Sequence, residues 1–464
     1  MAKTKYRTAP EPITGMPRGI PYIIGNEVAE RFSFYGMRAI LTIFMVHYLV
    51  DRNGVLSVMT EGDAKKYFHW FLAAVYFTPF LGSLLSDIWL GKYRTIINLS
   101  ILYCIGNFFL AFDHTRLGLA VGLILIVVGS GGIKPCVSSN VGDQFGKTNH
   151  HLLAKVFSWF YFGINVGSVL SMGLTPYLLE KFGPVHGPTV AFGVPGILMV
   201  AATFVFWLGR KKYVHVPAGG LGFVKQTFSG EGIKAVGKLA VIYVFVAPFW
   251  SLFDQTGSSW ILQAEKLNLH WLGFDWLPSQ VQIVNSALVL ILIPVFSYGV
   301  YPLVGKVVRV TPLRKMAVGF FISAVAFAII AWVEQRLAAG EMPSVGWQAF
   351  AYLPLTIGEV LISITCLEFS YTQAPKKMKS FIMAIFLMSV TVGNLFTAQV
   401  NSFIQNEDGT TKLEGASYYW FFVSVITVTG VLFGIYARFY KEKVYIQDEE
   451  DTANEDQTPA TFDD

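Results

Sequence analysis

Apolar runs of roughly 17 to 25 residues, bounded by short polar turns, recur along the chain, and each is long enough to cross a bilayer as a helix. They fall at 22–50, 67–90, 95–112, 117–139, 153–178 and 188–209 and, after a basic, glycine-rich stretch from Arg210 to about Ala235, at 236–259, 280–303, 312–333, 347–371, 379–404 and 417–440. The pattern predicts an all-α polytopic membrane protein with twelve transmembrane helices in two six-helix bundles. The expected organisation is an N-terminal bundle over 1–209, a cytoplasmic linker over 210–235, a C-terminal bundle over 236–446 and a disordered acidic tail over 447–464. An even number of spans in matching halves is what a two-bundle carrier needs, with its substrate site at the interface between the halves.

The turns set the orientation. Most of the 35 Lys and Arg lie in segments that share a side with the N terminus. By the positive-inside rule this places both termini in the cytoplasm and the chain as a multi-pass protein in a plasma or bacterial inner membrane. Three bases, Arg31, Arg38 and Lys134, fall inside predicted spans instead, away from the span ends.

Composition removes most other classes. The chain is 53% hydrophobic and only 14% charged, too little polar surface for a water-soluble globule. A net charge of +5, scattered along the chain, gives no nucleic-acid footprint. Cys104, Cys136 and Cys366 lie in apolar stretches without metal-site spacing. The eight histidines (47, 69, 114, 150, 151, 186, 215 and 270) form no HExxH pair, and neither GxSxG nor a phosphate-cradling GxxxxGK[ST] occurs. No enzyme, cofactor or metal is expected. The first 20 residues carry bases and prolines but no apolar core, so the first span is expected to act as an uncleaved anchor.

Ionisable side chains inside a bilayer cost about 3 kcal/mol or more unless paired or hydrated, so they mark candidate sites. The first span carries Glu27, Glu30, Arg31 and Arg38, the fourth Lys134, the seventh Asp254, and the tenth Glu359 and Glu368. On a helical wheel Glu27, Glu30, Arg31, Phe34, Tyr35 and Arg38 share an arc of about 140°. Arg31 is placed to bridge Glu27 and Glu30, so protonating either acid would release part of the clamp. This is either a coupling device or a static ion triad holding helices together. Lys134 sits in GSGGIKPC, a segment able to bend, or else snorkels to the cytoplasm. Glu359 lies too deep to snorkel. A cavity with Arg38 and Lys134 on one half and Glu359 on the other has a positive and a negative pole, which suits a zwitterion.

The stretch Glu27-Val-Ala-Glu30-Arg31-Phe32-Ser-Phe34-Tyr35-Gly36 resembles the ExxERFxYG signature of proton-dependent oligopeptide transporters (the POT or PTR family), members of the major facilitator superfamily that carry di- and tripeptides. Phe160 to Ser168 resembles the family's FYxxINxGS segment, Glu368 to Pro375 its EFSYxQAP segment, and Gly82 to Arg94 the major facilitator loop between spans two and three. The resemblance implies that Glu27, Glu30 and Arg31 couple protons with Lys134 able to bridge to them, and that Asp254 assists gating or proton movement. It further implies that Arg38 and Lys134 face the peptide carboxylate and Glu359 the amine. Tyr35, Tyr76, Asn165 and Asn285 would contact the peptide backbone, and Trp250 would form a side-chain wall. Phe34 and Phe386 depart from the tyrosine and tryptophan of many bacterial members. The function so implied is proton-coupled import of small peptides across a lipid bilayer by alternating access. The rival is a relative that couples protons to nitrate or another small anion, which has no use for an acid such as Glu359.

Overall fold

The computed structural model describes residues 6–218, 220, 230–372, 379–406 and 411–440. The expected acidic tail, and much of the expected linker, lie outside them. Twelve long helices are present among these residues: α1 (Ile20–His47), α2 (Glu61–Leu85), α3 (Lys92–Phe112), α4 (Arg116–Asp143), α5 (Leu153–Lys181), α6 (Gly183–Leu208), α7 (Gly230–Phe253), α8 (Ile283–Pro294), α9 (Pro312–Ala338), α10 (Gly346–Glu359), α11 (Lys379–Ile404) and α12 (Ala416–Phe439). α8 continues through a π turn at Val295–Val300 to Gly305, and α10 through a π turn at Val360–Ile364 to Thr372. Eleven of these helical segments are apolar enough to span a membrane. α1 equals them in length but carries Glu27, Glu30, Arg31 and Arg38 along its middle.

Where the sequence reading and the structure differ, local chemistry explains it. α2 begins six residues earlier than its apolar run, because Thr60 caps the helix by accepting from the Asp63 N–H, with Glu61 and Asp63 in the first turn. The seventh span is not one helix. It breaks after Phe253 into a 3-10 turn, Asp254–Gly257, and a short helix, Ser259–Ala264. Gly257 is needed at this bend because a Cβ there would meet the Phe68 ring at 2.5 Å. One two-stranded hairpin, His270–Trp271 with Phe274–Asp275, turns on Leu272 and Gly273, both at positive φ, as a two-residue turn requires.

Each half has its own core. Phe34, Phe44, Phe68, Tyr103, Phe192 and Phe206 anchor one, and Phe249, Trp260, Phe320, Phe327, Tyr352 and Phe422 the other. Small residues bring α4 close to α2: a side chain on Gly82 would collide with the backbone of Gly132. The halves meet along two seams, α2 with α11 and α5 with α8. Thr42 donates to the Gly257 carbonyl at 2.6 Å, Gln280 to the Gly173 carbonyl at 2.9 Å, and Lys266 approaches Glu61 at 3.3 Å. His47 and Glu265 lie 2.7 Å apart. These links gather on the side away from the chain termini. On the terminal side, α4 packs on α2 and α3 of its own half, and the Thr365–Thr372 end of α10 packs on α9 and α11 of its own.

Candidate functional site

α1 is where the sequence places most charge, and its pitch decides what that charge meets. Arg31 Nε donates to Glu27 Oε1 at 2.7 Å and stands 3.3 Å from Glu30 Oε2. The expected clamp is therefore formed, but unequally. The Glu27 contact is an aligned hydrogen bond, whereas neither Glu30 oxygen has a hydrogen-bond partner among the described residues, so Arg31 holds Glu30 by charge alone.

Two turns further, Arg38 Nη2 donates to Asp254 Oδ1 at 2.7 Å. This ion pair joins the halves at the point where the seventh span breaks, with Arg38 5% and Asp254 1% exposed. Its second oxygen, Asp254 Oδ2, accepts from Asn394 Nδ2 at 2.7 Å, and Asn394 Oδ1 in turn lies 2.7 Å from His69 Nδ1. His69 Nε2 is 3.0 Å from Ser258 Oγ. A continuous buried chain thus runs Arg38, Asp254, Asn394, His69, Ser258, across α1, α2, the break after α7 and α11.

Beside this chain, between the halves, is a cavity of about 190 Å³. Tyr35 and Arg38 of α1, Tyr76 of α2 and Asn165 of α5 form one wall; Trp250, Asp254, Asn285 and Glu359 form the other. Asn285 Nδ2 donates to Glu359 Oε2 at 2.9 Å and to Thr356 Oγ1 at 3.1 Å, which ties the carboxylate to α8. Glu359 stands directly before the π turn of α10, an irregularity that recurs at functional sites. Arg38 Nε is buried with no hydrogen-bond partner among the described residues, while Nη2 holds Asp254.

Of the residues expected from the sequence, Tyr35, Arg38, Tyr76, Asn165, Trp250, Asn285, Glu359 and Asp254 line this cavity together. Lys134 stands behind them. Its Nζ lies 4.1 Å from the Phe34 ring centre and 4.5 Å from that of Tyr76, between the clamp and the cavity wall. His69 and Asn394 were not singled out in the sequence. Histidine inside a span is itself a signal of function, since it belongs with the ionisable groups that a bilayer excludes. Asn394 has no comparable signature, because an asparagine on a helix tells nothing of a partner 140 residues away.

Comparisons with known proteins agree with one another. The sequence model described as "POT family" matches residues 93–230 and 222–421. Solute carrier family 15 member 2 of Danio rerio is 39% identical over 369 residues, 69% of this chain and 50% of that protein. Peptide transporter family 1 of Drosophila melanogaster is 36% identical over 364 residues, 69% of this chain and 48% of that one. The chain spans about half the length of the curated relatives it matches. Among solved structures, the POT family transporter PepTSo is 36% identical with a TM-score of 0.82, covering 91% of this chain and 98% of that one. An auto-inhibited POT family peptide transporter is 35% identical with a TM-score of 0.83, covering 93% and 99%.

Proposed function

The chain belongs to the POT family and has the two-bundle major facilitator fold, and from that premise we propose that it is a symporter importing di- and tripeptides with protons. The observation that carries the reading is the two-poled cavity, with Arg38 on one half and Glu359 on the other. A peptide bridging the halves places its carboxylate at the Arg38 guanidinium and its ammonium at Glu359, where it takes over the position of Asn285 Nδ2. Tyr35, Tyr76 and Asn165 are placed for the backbone, and Trp250 for a side chain. Lys134 acts from behind Tyr76, as a positive charge on the carboxylate side.

Coupling follows from the ion pairs. Protonation of Asp254 removes the charge that holds Arg38 Nη2 and frees the guanidinium to grip the peptide carboxylate with two donors. Protonation of Glu27 or Glu30 likewise loosens Arg31. Because each pair links a proton site to a group that changes partner, proton and peptide bind with a shared preference for one arrangement of the halves. On this reading both termini face the cytoplasm of a cell, and the links between Thr42 and Gly257, His47 and Glu265, and Glu61 and Lys266 support a carrier closed toward the outside.

Uptake of labelled dialanine and of nitrate into liposomes holding the purified protein tests substrate class. The reading expects dialanine uptake that Glu359→Gln abolishes, and no nitrate uptake. Nitrate carried equally by both proteins would establish the anion carrier instead.

A further inference from the structure

α1 is polar on two faces, and only one meets the cavity. At 100° per residue Tyr35 and Arg38 share the cavity face, whereas Asn26, Glu30 and Ser33 lie within an arc of about 60° turned away from it. The Ser33 hydroxyl donates to Asn107 Oδ1 of α3 at 3.4 Å, so this second face looks into the N-terminal bundle. Asn26 is 0% and Glu30 1% exposed. Neither amide atom of Asn26 and neither oxygen of Glu30 has a hydrogen-bond partner among the described residues. The same holds for Ser100 Oγ and Tyr103 Oη on α3 and for Ser130 Oγ and Asn140 Nδ2 on α4.

These atoms are ordered in depth. With a rise of 1.5 Å per residue from the terminal-side end of each helix, Tyr103 stands about 16 Å deep, Glu30 about 15 Å, Ser100 about 12 Å, Asn26 about 9 Å and Asn140 about 4 Å. The helix ends are level: a Cβ on Gly19, before α1, would lie 3.4 Å from Gln144 Oε1, after α4, and Lys92 at the start of α3 donates to Asp143 at the end of α4 at 2.6 Å. Gln144 completes the descent, its Nε2 donating to the Asn140 carbonyl at 2.9 Å and its Oε1 accepting from the Val214 N–H at 3.0 Å. Buried polar atoms without protein partners are sites for ordered water, each water joining about three such groups.

We propose that this column is the carrier's proton exit: Glu30 releases its proton to the terminal-side solution through the interior of the N-terminal bundle, past Ser100, Asn26 and Asn140, and not through the substrate cavity. The O–H bond of the Glu30 carboxyl breaks, the proton passes along O–H···O links of water and the Ser100 hydroxyl, and the carboxylate left behind is held by Arg31 Nε, 3.3 Å away. Asn26 and Asn140 hold the water without being protonated. The other groups around Glu30 are Glu27 on its own helix, Lys134 on α4 and Tyr103 on α3; α5 and α6 meet α1 nearby with Gly163, Gly167 and Val205. Substrate and proton then leave by separate routes, and an occupied cavity does not block deprotonation.

The inference rests on the proton-coupled reading and is tested by separating two activities of the reconstituted carrier. Counterflow of labelled against unlabelled dipeptide needs no net proton release, whereas proton-driven accumulation does. Asn26→Leu is expected to keep counterflow near the wild-type rate while accumulation falls about tenfold or more, because the water that Asn26 holds is lost from the column. Asn26→Ser, which still binds water, should recover part of it. Accumulation at the wild-type level in Asn26→Leu overturns the proposal. If Asn26→Leu loses both activities, the smaller change Ser100→Ala decides by the same split, and equal loss or no loss of both there also overturns it. A wild-type carrier with counterflow and no accumulation overturns proton coupling itself.

Discussion

The two halves differ in how many buried polar side chains stay unmatched. In the C-terminal half most are matched, with one atom each of Tyr243, Trp250, Trp260 and Asn401 left over among the described residues: Ser251 lies 2.6 Å from Thr397, Gln263 donates to Glu334 at 2.7 Å, and Gln348 donates to the Trp260 carbonyl at 2.8 Å. In the N-terminal half Asn26, Glu30, Ser100, Tyr103, Ser130 and Asn140 are buried with side-chain atoms unmatched among the described residues. A matched network fixes one geometry, while unmatched atoms keep a site ready for water or a moving proton. On the proposed reading, the C-terminal half holds a substrate group at Glu359 and the N-terminal half changes its protonation and pairing.

The largest expected effect falls where the halves share a charge. Arg38→Ala leaves Asp254 buried without its ion and removes the carboxylate partner, so dipeptide uptake by proteoliposomes should fall below detection; measurable uptake would remove Arg38 from the site. Next comes the clamp. Glu27→Gln deprives Arg31 of its aligned acceptor, and should abolish proton-driven accumulation while dipeptide counterflow continues. Equal loss of both would return the cluster to a static ion triad.

A matched network answers differently. Asn394→Ala strips partners from both Asp254 and His69, and should lower thermal stability in detergent by about 1–3 kcal/mol, read as a lowered unfolding midpoint. Removing one unmatched group, as in Ser130→Ala, should change stability by less, since no protein hydrogen bond is lost. A larger loss in Ser130→Ala than in Asn394→Ala would reverse the contrast between the halves. The smallest effect belongs to the exposed pair His47 and Glu265, where His47→Ala should shift stability by no more than about 1 kcal/mol.

The fold was legible because a bilayer demands long apolar helices, and every predicted span overlaps one of α1 to α12. What hydropathy could not show was chemistry at the ends and breaks. The Thr60 cap begins α2 within polar residues, and the bend at Asp254 follows from where Phe68 packs, a contact between distant segments. In the cavity, Glu359 and Arg38 were visible as charges out of place. Asp254 was visible in the same way, but which groups pair was not, because the Arg38 to Asp254 pair spans 216 residues and the His69 to Asn394 pair 325. Lys134 was visible too, yet only the three-dimensional packing puts it behind Tyr76 and not on the cavity wall.

Proton movement driven by a peptide gradient tests the central claim most directly. Liposomes holding the purified protein and a lumenal pH dye, with equal pH on both sides and an inside-negative potential, receive external dialanine. The account predicts lumenal acidification that requires dialanine, and none with nitrate or in Glu359→Gln. Dialanine entry with no change in lumenal pH would contradict it, leaving a peptide carrier whose buried ion pairs do not couple to protons.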